Sequence, residues 1–257
     1  MAGQFYDTAM SQRQEALAAT PDMVAQRNAL IAALDPKPGE AAADIGAGNG
    51  FLLRDLLDKV GATGRVAGVD GSEAMVEMAG HVCPEAELHL ADAADLPLDD
   101  GAFDAATAAQ LLCFLPEPDR ALAEMARILR PGGRLAILDS DWGSLVWNCR
   151  DRALMDRTVA LLTGEYADAH VPRSLSRRLE AAGFRITARR SFAVLNWAPD
   201  AESYAGQTAG FVEAMMAASP DFTADDWAAF QADQQAVAEA GEFMFSLNRY
   251  VFCAEKP

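Results

Sequence analysis

Ala43-Asp44-Ile45-Gly46-Ala47-Gly48-Asn49-Gly50-Phe51 is the stretch that decides the fold of this 257-residue chain. A short apolar run ends here in an acid, and three glycines then alternate with other residues. Glycine has no Cβ atom, so the chain can adopt left-handed backbone angles and bring its main chain close to a ligand. The stretch therefore predicts a buried strand that leads into a ligand-binding turn.

The spacing of the glycines distinguishes two kinds of turn. A nicotinamide-binding turn has the pattern G-x-G-x-x-G, whose third glycine lets the helix pack on the strand. Gly46 and Gly48 fit the first two positions, but Phe51 occupies the third. With Asp44 ahead of it, the pattern D-x-G-x-G-x-G instead resembles motif I of the class I S-adenosylmethionine-dependent methyltransferases. In that class the loop holds a zwitterionic amino acid and not a diphosphate.

Composition argues against several kinds of partner. The formal charge of −17 and the pI near 4.5 disfavour nucleic acid and anionic membranes, because both are bound through clustered Lys and Arg. No stretch approaches the ~20 apolar residues of a membrane span, and the first ten residues lack the features of a signal peptide. The four cysteines lie far apart, so we expect reduced thiols and no metal site. A soluble cytoplasmic protein is predicted.

Apolar periodicity and breakers predict an alternation of strands and helices. The predicted strands are 41–45, 65–69, 87–90, 103–109, 134–139, 183–190 and 246–254, and the predicted helices are 20–34, 52–59, 72–79, 118–129, 175–182, 201–218 and 224–240. Such alternation implies parallel βαβ units with right-handed crossovers. We therefore predict an α/β fold, with a Rossmann-like, doubly wound, seven-stranded and mostly parallel sheet. A ligand should bind beyond the carboxyl ends of the strands.

One domain should account for residues 1–257. Within it we predict an N-terminal helical lid at 1–34, a cofactor-binding core at 35–140, acceptor-side cap segments at 141–174 and 200–242, and a terminal strand at 243–257. The roughly fifty residues between the last two strands are too many for an unstructured loop, which is why a helical cap is expected there.

Further motifs follow the glycine turn in a fixed order. They are Asp70 after Arg-Val-Ala-Gly-Val, Ala91-Asp92-Ala93, Asp95-Leu96-Pro97, Phe103-Asp104 and Leu129-Arg130-Pro131-Gly132-Gly133. Together with the turn, they are similar to the small-molecule methyltransferases of the UbiE-like type, over about residues 27–139. This resemblance implies S-adenosylmethionine as the cofactor.

The resemblance also implies a role for individual residues toward the cofactor. Asp70 would accept hydrogen bonds from both ribose hydroxyls, Asp92 and the Ala93 backbone would hold the adenine, and Asp44 would order the turn and meet the ammonium group. Gln110 would lie beside the methionine portion and Arg27 would meet its carboxylate. The predicted cofactor-binding set is Asp44, Gly46, Gly48, Gly50, Asp70, Gly71, Asp92, Ala93, Gln110 and Arg27. Asp92 could also cap its own loop, and Gln110 could simply begin a helix.

The acceptor side carries a weaker signal. His170 is a candidate general base, since histidine is the side chain best suited to proton removal near neutral pH; a structural or substrate-orienting histidine is the alternative. Asp141, Trp142 and Arg173 are candidate substrate-binding residues. Apolar residues of the predicted cap suggest an apolar pocket, although core packing explains the same pattern: Phe211, Met215, Met216, Trp227 and Phe230. A leading segment with Phe5, Tyr6 and Arg13 could close over the cofactor.

These patterns predict in-line transfer of a methyl group from S-adenosylmethionine to a small, apolar or aromatic metabolite. A non-catalytic S-adenosylmethionine-binding regulatory protein is the alternative. A nicotinamide-dependent oxidoreductase shares the βαβ start, but Phe51 counts against it. The acceptor atom is left open.

Overall fold

The structure is a computed structural model, and it describes the backbone of residues 8–257 and the side chains from residue 14 onward. The predicted roles of Phe5, Tyr6 and the Arg13 side chain lie outside the described residues. The helices are α1 Thr8–Ala19, α2 Pro21–Leu34, α3 Phe51–Val60, α4 Glu73–Val82, α5 Pro118–Ile128, α6 Arg152–Thr163, α7 Pro172–Ala181, α8 Tyr204–Ala218 and α9 Ala224–Glu239. The strands are β1 Ala41–Ile45, β2 Arg65–Asp70, β3 Glu87–Leu90, β4 Phe103–Ala109, β5 Leu129–Ser140, β6 Val146–Trp147, β7 Arg185–Asn196 and β8 Phe245–Glu255.

The strands form one sheet in the order β3-β2-β1-β4-β5-β8-β6, and β7 pairs with the other side of β8. Strands β1 to β5 are parallel, whereas β8 is antiparallel to β5, β6 and β7. The short strand β6 pairs with Ser246 and Phe245, beyond the part of β8 that pairs with β5. It therefore continues the position of β5, and the sheet is seven positions wide. The predicted mostly parallel, doubly wound α/β fold is confirmed.

Helices cover both faces of this sheet. One face carries α2, α3 and α4, whose buried side chains form a common apolar cluster with alternate residues of the strands. The other face carries α5 and α7. Helix α3 shows why: Leu52, Leu53, Leu56 and Val60 are buried and recur at helical spacing, so one stripe of the helix meets the sheet. The helices cover the faces of the sheet but not the carboxyl ends of its strands. The glycine turn and the polar residues that follow β1, β2 and β4 therefore lie together at this edge.

Helices α6, α8 and α9 pack together beyond β5 as a helical cap. They share an apolar cluster with the amino-terminal half of β8 and the end of β7, centred on buried Trp147, Val212, Phe230 and Phe245. The predicted cap residues Phe230 and Met216 are buried in this cluster, and Met215 and Trp227 pack at its margin. Core packing therefore accounts for these four side chains. The domain boundaries given above stay a prediction.

Strands β5, β6 and β7 and helix α6 differ from the sequence prediction. Strand β5 begins at Leu129 and not at 134, because Leu129 pairs with Phe103 and Arg134 with Ala105. Residues 130–133 bulge out between these pairs, and Gly132 adopts a φ of +78°. Helix α6 and strand β6 were not predicted, and β7 continues to Asn196. Both α6 and the end of β7 belong to the cap, where tertiary packing decides the structure.

No helix in the described part of the chain is both long enough and apolar enough to cross a lipid bilayer.

Candidate active site

The turn between β1 and α3 is built on three glycines with positive φ angles, +76° at Gly46, +53° at Gly48 and +83° at Gly50. A Cβ atom on Gly46 would lie 2.9 Å from Leu111 Cδ1, and one on Gly50 would lie 2.8 Å from the Ala79 Cα atom. A Cβ atom on Gly48 would have no atom within 4 Å. Packing therefore requires two of the glycines, whereas Gly48 faces open space.

Asp70, at the end of β2, is tied to this turn. Its Oδ2 atom accepts the Gly48 backbone N–H at 2.8 Å, and its Oδ1 atom accepts the Ser72 backbone N–H at 2.9 Å. Burial raises the pKa of Asp70 above its usual value, while these backbone hydrogen bonds lower it. Each carboxylate oxygen has a second lone pair, so the fixed carboxylate can accept two more hydrogen bonds. That is the requirement of a vicinal diol.

Asp44 lies beneath the turn and is 1% exposed. Its Oδ1 atom accepts the hydroxyl hydrogen bond of Thr107 on the neighbouring strand at 2.6 Å. Burial raises the pKa of Asp44 to about 7, against the opposing effect of the Thr107 hydrogen bond. A cation that reached this carboxylate would favour its ionised form.

Gln110 follows β4 in a left-handed conformation with a φ of +54°. Such backbone is costly for a residue with a side chain and is typical of functional sites. Two hydrogen bonds hold Gln110 there: its backbone N–H donates to the Leu138 carbonyl at 2.7 Å, and its Nε2 atom donates to Ser140 Oγ at 2.8 Å. The prediction of an ordinary helix-starting glutamine does not account for this strained backbone.

The predicted adenine-binding residues lie in the turn after β3. Asp92 is exposed, and its Oδ1 atom accepts the Ala94 backbone N–H at 2.8 Å, which is the loop-capping arrangement. Ala93 is 9% exposed. A Cβ atom on Gly71 would contact only the Ala91 carbonyl, at 3.8 Å. There is thus room beside Gly71, between the ends of β2 and β3.

Arg27 is engaged on the outer side of the turn. Its Nε atom donates to Asp55 Oδ2 at 2.9 Å, its Nη1 atom donates to the Ala18 carbonyl at 2.7 Å, and its guanidinium lies 5.3 Å from the Phe51 ring centroid. In the described part of the chain, these contacts involve neither Asp70 nor Gln110.

The structure brings three of the predicted acceptor-side residues together around one carboxylate. Asp141 Oδ1 lies 2.9 Å from His170 Nδ1, and Arg173 donates from Nε to Oδ2 at 2.8 Å and from Nη2 to Oδ1 at 3.0 Å. The Gly143 backbone N–H donates to Oδ1 as well, at 3.1 Å. Partial burial would raise the pKa of Asp141, but the hydrogen bonds from Arg173 and His170 outweigh it and lower that pKa.

This cluster can orient an imidazole. The Asp141 side chain is 10% exposed, whereas those of His170 and Arg173 are 47% and 57% exposed. A carboxylate at Nδ1 favours the tautomer with a proton on that nitrogen, which leaves the Nε2 lone pair free to accept a proton. Gly143 makes the cluster possible, since a Cβ atom there would lie 2.2 Å from Arg173 Nη2.

Trp142, the fourth predicted residue, is 5% exposed and begins a short 3-10 helix. Its indole stacks on Tyr166 with the ring centroids 5.3 Å apart, and Phe114 lies 4.8 Å from the same tyrosine. The indole Nε1 atom is buried and has no hydrogen-bond acceptor among residues 14–257. Trp142 is thus part of an aromatic wall beside Asp141.

Sequence reasoning missed Thr107 and Arg249. Thr107 is the partner of Asp44, and a lone hydroxyl in the run Ala-Ala-Thr-Ala-Ala is its only sequence signal. Arg249 is 2% exposed within β8. The alternation of Phe245, Leu247, Arg249 and Val251 could have revealed it, because these four residues occupy the inward positions of the strand.

Among the described residues, no group of three or more His, Cys, Asp or Glu side chains could hold a metal ion.

Comparison with known proteins agrees with this geometry. Residues 43–137 match the protein family described as "Methyltransferase domain". An uncharacterized 37.1 kDa protein in transposon TN4556 of Streptomyces fradiae is 37% identical over 174 residues, which cover 66% of this chain and 50% of that protein. The 2-phytyl-1,4-naphtoquinone methyltransferase of Synechococcus elongatus is 38% identical over 109 residues, 40% of this chain and 47% of the relative. The chain thus spans about half the length of the curated relatives that it matches.

Solved structures share the fold at low sequence identity. A putative methyltransferase from Bacillus halodurans has a TM-score of 0.63 at 17% identity. The match covers 91% of this chain and 99% of the Bacillus chain. The [4+2]-cyclase SpnF has a TM-score of 0.63 at 23% identity, and the match covers 100% of this chain and 95% of the SpnF chain.

The sheet order, the glycine turn after β1 and the acid at the end of β2 are features of a class I S-adenosylmethionine-dependent methyltransferase domain. Residues 43–137 match the methyltransferase domain family, and the chain as a whole shares the fold of the solved structures named above.

Proposed function

We propose that this protein transfers a methyl group from S-adenosylmethionine to a small metabolite with an apolar or aromatic body. The observation that carries the proposal is the open space at Gly48 beside the Asp70 carboxylate, whose position two backbone N–H groups fix. When bound, S-adenosylmethionine supplies an electrophilic methyl group on a sulfonium sulfur. The described residues fit this molecule, because a cradle without Cβ atoms adjoins one carboxylate for a diol and another for an ammonium group.

In this proposal each residue of the cofactor set has one task. Asp70 accepts hydrogen bonds from the ribose hydroxyls, and Asp92 and the backbone of Ala93 hold the adenine, for which Gly71 leaves room. Asp44 meets the ammonium group directly or through water. Gln110 lines the methionine portion. Arg27, which is held by Asp55, positions α2 beside the turn.

On the acceptor side, His170 removes a proton at Nε2, while Asp141 fixes its tautomer and orientation at Nδ1. Arg173 and Trp142 contact the substrate beside this pair. The acceptor is then a hydroxyl or an acidic carbon, since such a group loses a proton when it is methylated. Positioning and exclusion of water supply the rest of the rate enhancement.

The relatives support a small acceptor. Two of them are named as a 2-phytyl-1,4-naphtoquinone methyltransferase and a nocamycin O-methyltransferase, the latter from Saccharothrix syringae. Each aligns with 40–42% of this chain. The UbiE-like subclass therefore stays a prediction.

Replacing Asp70 with Ala tests the cofactor assignment. We expect loss of S-adenosylhomocysteine binding by at least about 100-fold in calorimetry, because two charge-assisted hydrogen bonds disappear. Asp58→Ala is the matched control, since Asp58 is an exposed acid of α3, and it should bind normally. Equal affinity of the Asp70 variant and wild type, or tighter binding of NAD than of S-adenosylhomocysteine by wild type, would refute the proposal.

Replacing His170 with Ala tests the acceptor chemistry. Methyl transfer from radiolabelled S-adenosylmethionine to a panel of phenols and quinols should fall by about 10²- to 10⁴-fold, the usual contribution of a general base. Binding of S-adenosylhomocysteine should stay unchanged. His81→Ala, on the exposed side of α4, should leave both quantities unchanged. Near-normal turnover of the His170 variant would remove this residue from the mechanism.

A further inference from the structure

Arg249 is 2% exposed, and in the described structure it is the largest side chain that is buried to this degree. It lies on β8 opposite Ser140, the last residue of β5, and points into the space between the sheet, α2 and α8. Its Nε atom donates to Ser140 Oγ at 3.1 Å, its Nη1 atom contacts Gln26 Oε1 and Met23 Sδ, and its guanidinium lies 4.5 Å from the Tyr204 ring centroid.

None of these partners carries a negative charge. In the described part of the chain, no carboxylate lies within ion-pair distance of Arg249, although sixteen other ion pairs are present there. Asp139 precedes Ser140 but lies on the opposite face of the sheet, where the Leu112 backbone N–H donates to it. A buried charge is costly unless an opposite charge accompanies it. The hydrogen bonds of Arg249 are thus partly satisfied, and its charge lowers the pKa of Asp139 from across the sheet but has no carboxylate in direct contact.

The position of Arg249 relates it to the acceptor and not to the cofactor turn. Strand β8 is three positions from β1 in the order β1-β4-β5-β8, which corresponds to about 14 Å at the usual strand spacing. A single hydroxyl nevertheless links it to the tip of β4, because Ser140 Oγ accepts hydrogen bonds from both Arg249 and Gln110. Asp141, which contacts His170, and Trp142 directly follow Ser140 in the chain. Arg249 therefore lies between the cap and the residues proposed to receive the acceptor.

The Nη2 atom of Arg249 has no hydrogen-bond acceptor in the described part of the chain, and it is not among the fully buried polar atoms without a partner. The N–H groups of Nη2 can therefore donate to a carboxylate, and the charge of the guanidinium strengthens such a hydrogen bond. We propose that Arg249 binds the carboxylate of the methyl acceptor, so that the acceptor is an aromatic or apolar acid. This inference rests on the proposed function and names the substrate class of the same site.

Benzoate and benzamide are the probes, since they share a shape and differ in charge. In the presence of saturating S-adenosylhomocysteine, calorimetry should show that the wild-type protein binds benzoate. The affinity for benzoate should be at least 10-fold higher than that for benzamide. Arg249→Met should lose this preference, and Arg249→Lys should keep part of it. Arg134→Met is the control, because Arg134 has its own partner in Glu40; it should bind benzoate as wild type does.

Gln26→Glu keeps the charge of Arg249 and its contacts, so the test does not depend on whether an Arg249 variant folds. The new carboxylate would stand where Gln26 Oε1 already meets the guanidinium. It should raise the Tm of the ligand-free protein by a few degrees and weaken benzoate binding at least 10-fold. Gln231→Glu, an equal change of charge at an exposed position of α9, should do neither.

Three results would overturn the inference. The first is equal binding of benzoate and benzamide by wild type while S-adenosylhomocysteine binds normally, which leaves the proposed function intact. The second is unchanged benzoate affinity in both Gln26→Glu and Arg249→Met. The third is a loss of S-adenosylhomocysteine affinity in Arg249→Met while the affinity for methylthioadenosine stays unchanged. Methylthioadenosine lacks the amino-acid portion of the cofactor. This result would show that Arg249 binds the carboxylate of the cofactor and not that of the acceptor. Failure of wild type to bind S-adenosylhomocysteine would instead refute the proposed function.

Discussion

At the scale of single residues, the three glycines of the turn after β1 serve different purposes. Gly46 and Gly50 leave no space for a side chain, because Leu111 and Ala79 lie against them. Gly48 has free space on its Cα atom and a backbone N–H that holds Asp70. Packing therefore requires two of the glycines, whereas the third leaves open space beside Asp70, where we propose that the ligand binds.

Substitution of these glycines should separate the two purposes. Gly50→Ala should lower the free energy of unfolding by about 3 kcal/mol, through left-handed strain and overlap with the Ala79 backbone. Gly48→Ala should lower it by only about 1 kcal/mol, from strain alone. Urea denaturation measures both changes. Calorimetry should nevertheless show that Gly48→Ala loses S-adenosylhomocysteine affinity, and equal stabilities with equal affinities would contradict this division.

The position of a residue in the fold could be predicted where it depends on the local pattern alone. The acid after β2 and the glycines of the turn lie where the sequence predicts them, and their roles toward the cofactor stay predictions. The sequence named Asp141, His170 and Arg173 but could not show that they meet, because residues 141 and 170 are joined by a tertiary contact, in which the Trp142 backbone N–H donates to the Ala169 carbonyl at 3.0 Å. Thr107 could not be found, because a hydroxyl in a strand has no distinctive pattern until its partner is known.

At the scale of elements, helix α9 illustrates how local sequence fixes a boundary. Thr223 Oγ1 accepts the Asp226 backbone N–H, and the Asp226 carboxylate accepts the Thr223 backbone N–H at 2.8 Å, which completes a capping box. Asp226 also binds Arg157 at 2.8 Å and so joins α9 to α6. One side chain thus both begins a helix and fixes its place in the cap.

Thr223→Ala should therefore destabilise the cap. We expect the free energy of unfolding to fall by about 1 kcal/mol, the usual cost of removing a helix N-cap side chain. Thr223→Ser retains the hydroxyl and should stay close to wild type, which makes it the control in a urea titration. An Ala variant as stable as the Ser variant would show that the cap hydrogen bond contributes nothing.

Strand bounds were predicted well for β1, β3 and β4, which are followed closely by the turn residues Gly46, Asp92 and Gln110. The bounds were wrong for β5 because a proline and two glycines were interpreted as a turn, whereas the strand bulges there and pairs on both sides of the bulge. Helix α6 was missed since its identity depends on packing against α8 and α9 and not on a strong local signal.

At the scale of the whole molecule, buried carboxyl groups should make stability depend on pH. Burial raises the pKa of Asp44 and that of Asp139 from 3.8 to about 7. Between these values each group carries a proton in the folded state but not in the unfolded state. The unfolded state then binds fewer protons, so the free energy of unfolding falls as the pH rises from about 4 to about 7.

Asp139→Asn isolates one of these contributions. The amide stays neutral and can still accept the Leu112 hydrogen bond through its oxygen. Between pH 5 and pH 6.5 the variant should lose about 1.4 kcal/mol less stability per pH unit than wild type. Urea denaturation of the ligand-free proteins at several pH values measures the two slopes. Parallel slopes would show that Asp139 ionises normally in the folded protein.

Strand β8 follows β7 in the chain, yet it lies between β5 and β7 in the sheet. On the ribosome, therefore, β5 and β7 emerge before the strand that joins them. Until residues 245–255 leave the exit tunnel, β5 has no strand paired along the edge that β8 later covers. Arg249 can therefore be buried only after β8 has emerged, later than the strands that carry the glycine turn.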